Sequence, residues 1–340
     1  MRIGIDAMGS DFSPHNEIEG ILLANESFSK DKYHDIELIL YGDIDEINNV
    51  ARKNHLEISH IQCVHSPQKV EMDDDPTEVL KTKRESSLFL GLQDLKEGKI
   101  DAFLSAGNTG AMLTCSSVLL GRIEGVSRPT IATLIPSVGS RPVVLLDVGA
   151  TVDHKARFLY EFAIMGNIYA KFALNIEEPK VALLNIGEEP TKGTDELREA
   201  YKMLEKSKVN FIGNIEGNEI MMGKADVVVC DGYVGNVILK FAEGFVSFFK
   251  SKLKAYGESK ITNKLKLSMA LPTFKNILKE LDYEEYGGVP VLGVKGISIV
   301  GHGKSTPMAI KNMITKAKEL VDNKLANKIE ESIILNTINS

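Results

Sequence analysis

Short apolar runs alternate along the chain with stretches whose apolar residues recur every three or four positions, the patterns of buried strand and amphipathic helix. Residues 2–6 (RIGID) form the first such run and end on a carboxylate. Residues 36–41 (IELILY) form the second, 58–65 a weaker third and 100–104 (IDAFL) a fourth. Further strands are predicted over 128–136 and 142–147, with Gly139-Ser140-Arg141 reversing the chain between them, and over 181–185, 210–213, 225–231 and 296–300. Helical spacing marks 16–27, the stretch from Gly42-Asp43 through Arg52, one continuous segment over 77–96, 155–172, 195–206, a long helix opening over 235–249, and a last helix from near Pro307. This alternation predicts a largely parallel sheet in one compact α/β/α unit over 1–335. No repeat at solenoid periods and no low-complexity linker divides it.

The polar corners between strand and helix carry the candidate chemistry. Ser105 to Ala111 reads SAGNTGA, between the strand at 100–104 and a helical stretch at 112–120. Its glycines admit backbone conformations closed to other residues. The first N–H groups of a helix lack internal partners and the dipole is positive there, so such a corner suits an anion. Read alone, it is an ordinary strand-to-helix turn with a good cap. The grammar returns at LLDVGA (145–150), ALLNIG (182–187) and VVVCDG (227–232), which sets Asp147, Asn185, Gly187 and Asp231 at equivalent corners. Parallel strands gather their C-terminal ends on one edge, where ligands bind.

Composition narrows the function classes. The 340 residues are 43% hydrophobic, ample for a large core, and carry a net charge of −7 with both signs mixed. That balance argues against nucleic acid as the main partner. Cys63, Cys115 and Cys230 lie far apart without C-x-x-C spacing, as expected of reduced thiols in a cytoplasmic protein. The seven histidines form no ligand pair, so no metal site is predicted. Asp73-Asp74-Asp75 reads as a solvated loop or helix cap ahead of a metal site. The first residues enter a strand directly, so no signal peptide is expected, and no apolar run approaches the ~18 residues that span a bilayer. GIDAMGSD is not a GxGxxG fingerprint. Gly303-Lys304-Ser305 ends like a Walker A loop, but Ser298 stands where its first glycine should be.

Longer motifs carry a resemblance. IDAMGSD (5–11), SAGNTGA, DVGA (147–150), LNIGEEPTKGT (184–194), GNIEGNEI (213–220), DVVVCDGYVGNVILK (226–240), EYGGVPVLGVKG (285–296) and HGKS (302–305) occur in order. Over essentially its whole length the sequence resembles the phosphate acyltransferase family known as PlsX. It departs at Ser10, usually Gly, at Thr151, usually Asn, at Tyr233, commonly Phe, and at Val289 and Val291, usually Ala and Leu; these read as small changes at loop positions. The resemblance implies synthesis of acyl phosphate from an acyl carrier protein thioester and inorganic phosphate, toward bacterial phospholipid. It also implies a Rossmann-like three-layer α/β/α sandwich of the isopropylmalate dehydrogenase and phosphotransacetylase kind, a homodimer, and no cofactor.

Phosphate is an anion with nucleophilic oxygens and a thiolate is a good leaving group, so the reaction needs a held anion, donors for the oxyanion and exclusion of water. Lys192, in a loop between strand and helix, is the first choice for the phosphate cation; the alternative is a solvent-exposed loop lysine. Asn236, after Gly235, is expected to donate to the thioester oxygen; the alternative is a helix cap. Ser105, Asn108, Thr109 and Gly110 are placed at the anion. Asp6, Asp147 and Asp231 are expected to orient Lys192 or backbone amides, against capping. His302, between glycines, is taken as a contact residue. A helical hairpin is expected to project over about 245–283, with Pro272 breaking it and its tip near 261–271. Its lysines and apolar residues suit an anionic membrane surface, giving a cytoplasmic protein peripherally attached to the membrane, within reach of a downstream membrane acyltransferase. The same apolar stripe suits a dimer interface. Competing functions are a short-chain phosphotransacylase using coenzyme A and a non-catalytic membrane-associated scaffold for lipid enzymes.

Overall fold

The computed structural model describes residues 1–30, 35–139, 141–151, 155–260, 262–270 and 287–337. Twelve described strands form two sheets. The first holds β1 (Arg2–Asp6), β2 (Glu37–Gly42), β3 (Gln62–His65), β4 (Ala102–Ser105), β5 (Thr130–Ile131), β11 (Val289–Leu292) and β12 (Ile297–Val300), in the order β3-β2-β1-β4-β12-β11-β5. The second holds β6 (Thr133–Ile135), β7 (Val143–Leu146), β8 (Lys180–Leu184), β9 (Asn210–Ile215) and β10 (Val227–Val229), in the order β6-β7-β10-β8-β9. Pairing is parallel except around β11, which runs antiparallel to β12 and β5, and at the β6–β7 hairpin. The architecture is the expected α/β sandwich with mostly parallel pairing.

Each sheet reads as near-continuous apolar strand because helices cover both faces. On one face of the first sheet, Ile3, Ile5 and Leu104 meet α1 (His15–Lys30) and α10 (Pro307–Asp322); on the other, Ile39, Tyr41 and Phe103 meet α4 (Ser87–Lys96) and α5 (Thr109–Cys115). In the second sheet, Val144, Leu146, Val181 and Val227 pack on α6 (Ala156–Ala173) and α7 (Asp195–Glu205). The first and third of these sets belong to one buried cluster, so a single core runs beneath both sheets. Gly166 on α6 permits the closest approach: a Cβ there would lie 2.7 Å from Val227 Cγ1 and 2.9 Å from Leu146 Cδ2.

Several elements differ from expectation, each for a local reason. The segment predicted as one helix over 77–96 is two, α3 (Pro76–Thr82) and α4, because the Ser86 hydroxyl accepts from Phe89 N and caps a new start. The strand predicted over 128–136 splits into β5 and β6, which serve different sheets; Ala132 is the joint. β11 was not anticipated, and it carries both Val289 and Val291. The last helix breaks at Asn323 and Lys324, the latter at φ 51°, before α11 (Leu325–Thr337).

The long helix α8 (Gly232–Ser259) ends at Lys260, which is extended. The carbonyl of Lys260 accepts from Asn263 N and Lys264 N, starting α9 over 262–270. A Cβ at Gly257 would lie 2.7 Å from Leu267 Cδ2, so α9 turns back on α8. The turn back thus follows Lys260, ahead of most of the expected tip. Residues 271–286, with Pro272 and the expected return of the hairpin, lie outside the described residues.

Candidate active site

A cleft of about 580 Å³ opens between the C-terminal edges of the two sheets. One wall comes from the first sheet: the 107–110 corner after β4, the 301–303 turn after β12, and Asp11 and Met72. The other comes from the second sheet: Thr133 and Leu134, the Val148-Gly149 turn after β7, and Asn236, Leu239, Lys240 and Glu243 of α8. Val289 and Met313 also line it. Sequence reasoning gathered Asp6, Asp147 and Asp231 on one sheet edge. Asp6 instead ends a strand of the first sheet, while the other two follow strands of the second.

The buried carboxylates build the walls from behind. Asp6 accepts from Ser105 Oγ at 2.7 Å and from Met8 N at 3.0 Å, and Ser105 Oγ in turn accepts from Gly107 N at 3.1 Å. A Cβ at Gly9 would sit 2.8 Å from Asp6 Oδ2 and 2.9 Å from Ser105 Oγ, so only glycine fits over this pair. Asp147 accepts from Thr151 N at 2.7 Å, Thr151 Oγ1 at 2.8 Å and Ala150 N at 3.0 Å, closing the turn that presents Gly149. Burial raises the carboxyl pKa of both aspartates above the ordinary range, and their hydrogen bonds pull against it. Asp231 accepts from Val234 N at 2.9 Å and is the N-cap of α8. Asp6 and Asp147 thus orient backbone amides, Asp231 has the competing role of a cap, and none of these hydrogen bonds goes to Lys192.

Asn108 is also a scaffold residue. Its Oδ1 accepts from Ala111 N at 2.9 Å as the cap of α5, and its Nδ2 donates to the carbonyls of Glu71, Met72 and Asp74 at 3.0–3.3 Å. The amide expected at an anion is thus spent on the 71–74 loop, which places Met72 in the cleft. Within that loop Asp75 caps α3 and Asp74 pairs with Lys83, so the acidic triple is a capped loop. Thr109, exposed, and Gly110 remain on the cleft surface.

Asn236 is not a cap, because α8 begins four residues earlier. A Cβ at Gly232 would lie 2.3 Å from Thr151 O, and one at Gly235 1.8 Å from Asp147 O. Two missing side chains therefore let α8 press its first turns onto the Asp147 turn. That brings the Asn236 side chain against Gly149, 3.8 Å from an ideal Cβ there, and into the cleft. On the opposite wall, His302 Nδ1 accepts from Lys304 N at 3.1 Å. Asp11 N donates to Gly303 O at 2.8 Å, which ties the 9–14 loop to the His302 turn.

Lys192 lies apart. It is exposed on the loop after β8 and does not line the cleft. Asn185 Nδ2 donates to Lys192 O at 3.1 Å, Lys192 N donates to Glu189 O at 3.1 Å, and Gly193 takes φ 84° beside Asn185. Asn185 and Gly187 thus shape the Lys192 loop instead of the cleft. Of the sequence-derived candidates, the cleft gathers Asn108, Thr109, Gly110, Asn236 and His302. Asp6, Ser105, Asp147 and Gly235 stand behind its walls. Sequence reasoning missed Asp11, Lys240 and Glu243; the i, i+4, i+7 spacing of Asn236, Lys240 and Glu243 was the signal that could have found the last two. Val289, read as a loop position, is a strand residue of the cleft wall. Among the described residues no cluster of His, Cys, Asp or Glu is placed to hold a metal, and no described helix is long and apolar enough to cross a membrane.

The opposite face of α8 is apolar and open. Val234, Val237, Phe241, Phe245 and Phe248, spaced by three and four, are all exposed, and Phe241 is 73% accessible.

A protein-family model described as "Fatty acid synthesis protein" matches residues 1–328. A phosphate acyltransferase from Dictyoglomus turgidum is 41% identical over 334 residues, covering 98% of each chain. One from Chlorobaculum tepidum is 44% identical over 335 residues, covering 96% of this chain and all of that one. Among solved structures, a phosphotransacetylase from Streptococcus pyogenes superposes with a TM-score of 0.61 at 17% identity over 94% of both chains, a likeness of fold. At such identity over nearly the full length, the chain belongs to the phosphate acyltransferase family.

Proposed function

We propose that this chain transfers an acyl group from an acyl carrier protein thioester to inorganic phosphate, releasing acyl phosphate and free thiol for phospholipid synthesis. The observation that carries this is the make-up of the cleft wall. Leu113, Leu134, Val148 and Leu239 offer an apolar run for an acyl chain, with Thr109, Asn236, Lys240 and His302 beside it. A phosphate oxygen attacks the carbonyl carbon. The C–O bond forms as the carbonyl electrons move to oxygen, and they return as the C–S bond breaks. The thiolate, whose thiol has pKa ~8.5, leaves without an acid and takes its proton from solvent.

In this mechanism the protein holds phosphate close to the carbonyl. The Asn236 amide and the backbone N–H groups of Thr109 and Gly110 meet the oxyanion. Thr109 and His302 contact substrate from the first-sheet wall. Lys192 acts as a phosphate contact from outside the cleft lining, on the loop after β8, the neighbour of the strand that leads into α8. The unit over 1–335 works as one catalytic body. Two copies pair through the open apolar face of α8. The lysines of its far end and of α9 (Lys250, Lys252, Lys254, Lys264, Lys266) face an anionic membrane, where a membrane acyltransferase takes the product.

The test is phosphate-dependent formation of acyl phosphate by the purified protein, run with carrier-protein and coenzyme A thioesters of one acyl chain. Turnover with the carrier thioester, at least tenfold more efficient than with coenzyme A, is the expected result. Transfer from coenzyme A alone would move the protein to the phosphotransacylases, and no acyl phosphate from either would end the enzymatic reading.

A further inference from the structure

The cleft face of α8 holds a cation with no role assigned above beyond lining the wall. Among the described residues that line the cleft, Lys240 is the one lysine or arginine. It lies one helical turn beyond Asn236, and Glu243 lies one turn further, so all three share a face. Lys240 Nζ pairs with Glu243 Oε2 at 2.8 Å. The lysine side chain is 57% accessible and the glutamate 20%. The other charged group on the wall is the Asp11 carboxylate. With its lysine paired, the cleft has an excess of negative charge, which suits neither phosphate nor a phosphodiester.

From this geometry we propose that Lys240 is the phosphate-binding cation inside the cleft and that Glu243 is the counter-charge it leaves when the anion arrives. The proposal rests on the acyl-transfer reading above and adds the residue that recognises the anion. An exposed ion pair is weakly held and screened by salt, so exchanging one oxyanion for another is easy. The half-buried Glu243 keeps the empty cleft from trapping other anions and holds Lys240 one turn from Asn236, where a phosphate next to the thioester carbonyl would sit. Two phosphates take part in the reaction, the nucleophile and the phosphodiester of the pantetheine arm that carries the acyl group. Both present the same oxygens to an ammonium.

The experiment compares wild type with Lys240→Met, Lys240→Arg and Glu243→Gln. Steady-state KM is measured separately for inorganic phosphate and for the acyl thioester, and thermal unfolding is followed with and without phosphate. Removing a charged donor from a phosphate is expected to raise the relevant KM about 10- to 100-fold in Lys240→Met, with partial recovery in Lys240→Arg. Glu243→Gln is expected to lower the same KM about threefold. A rise confined to phosphate assigns Lys240 to the nucleophile, and one confined to the thioester assigns it to the arm; both support the proposal. If both constants stay within twofold of wild type in folded Lys240→Met, the proposal is overturned. An unmoved KM in Glu243→Gln overturns the counter-charge. Phosphate protection of wild type but not of Lys240→Met against unfolding would uphold the anion site even where wild type made no acyl phosphate, so the two failures are distinguishable.

Discussion

Glu17 stands in the first turn of α1, fully out of water, behind the loop that carries Ser10 and Asp11. Burial pushes its carboxyl from 4.5 up to about 7; the nearby Asp6 charge adds to the rise and Ser10 offsets part of it. Because the folded-state value lies above the unfolded one, the native chain keeps a proton that the unfolded chain has already lost. The stability linked to Glu17 is therefore complete below about pH 4.5, declines as pH rises toward 7, and is gone above it. At ~1.36 kcal/mol per tenfold, the rise corresponds to roughly 3 kcal/mol, most of which falls between pH 5 and pH 8. Glu17→Gln keeps the shape and removes the titration. The measurement is urea unfolding of both proteins at half-unit steps from pH 5 to 8. The stability of the variant relative to wild type should climb by roughly 2–3 kcal/mol across that range, since other titrating groups cancel in the difference. A difference that stays flat within 0.5 kcal/mol, taken as roughly the error of such extrapolations, would refute the reasoning.

Three further outcomes are expected. Lys192→Ala should stay folded, because its side chain is exposed, and lose roughly 2–4 kcal/mol of transition-state stabilisation; near-normal rates at saturating phosphate would remove Lys192 from the site. Gly235→Ala puts a methyl 1.8 Å from Asp147 O and should lower both stability, by about 1–3 kcal/mol, and kcat, through displacement of Asn236; a thermal midpoint equal to wild type would show that α8 is not pressed onto that turn. Leu265→Glu, at a position 66% accessible, should abolish flotation with anionic liposomes and leave the thermal midpoint unchanged, whereas loss of the dimer on size exclusion would make the α9 surface an interface between copies.

The sequence alone determined most of what is local. Period and corner chemistry mark β1, β2, β4, β7, β8 and β10 and the helices after them, since burial on both faces demands apolar strands and a helix start demands a cap. The same corners, read as motifs, pointed to the family and to Asn236, Thr109 and His302. What pattern could not settle was which corners face one another. Parallel strands on two sheets look identical to parallel strands on one, so Asp6 and Asp147 were legible as strand-end carboxylates while their places on separate walls were not. β11 was missed because Gly-Gly and Pro290 signal a turn, and only pairing with β5 and β12 makes it a strand. Asn108 read as a free donor because its partners, the carbonyls of 71–74, lie more than thirty residues upstream. Lys192 stood in a conspicuous loop and Lys240 in an unremarkable helix, yet it is Lys240 that the glycines at 232 and 235 bring into the cleft by letting α8 close on the Asp147 turn. Distant contacts of this kind depend on side chains that are absent as much as on those present, and they exist only once the two sheets have folded against each other.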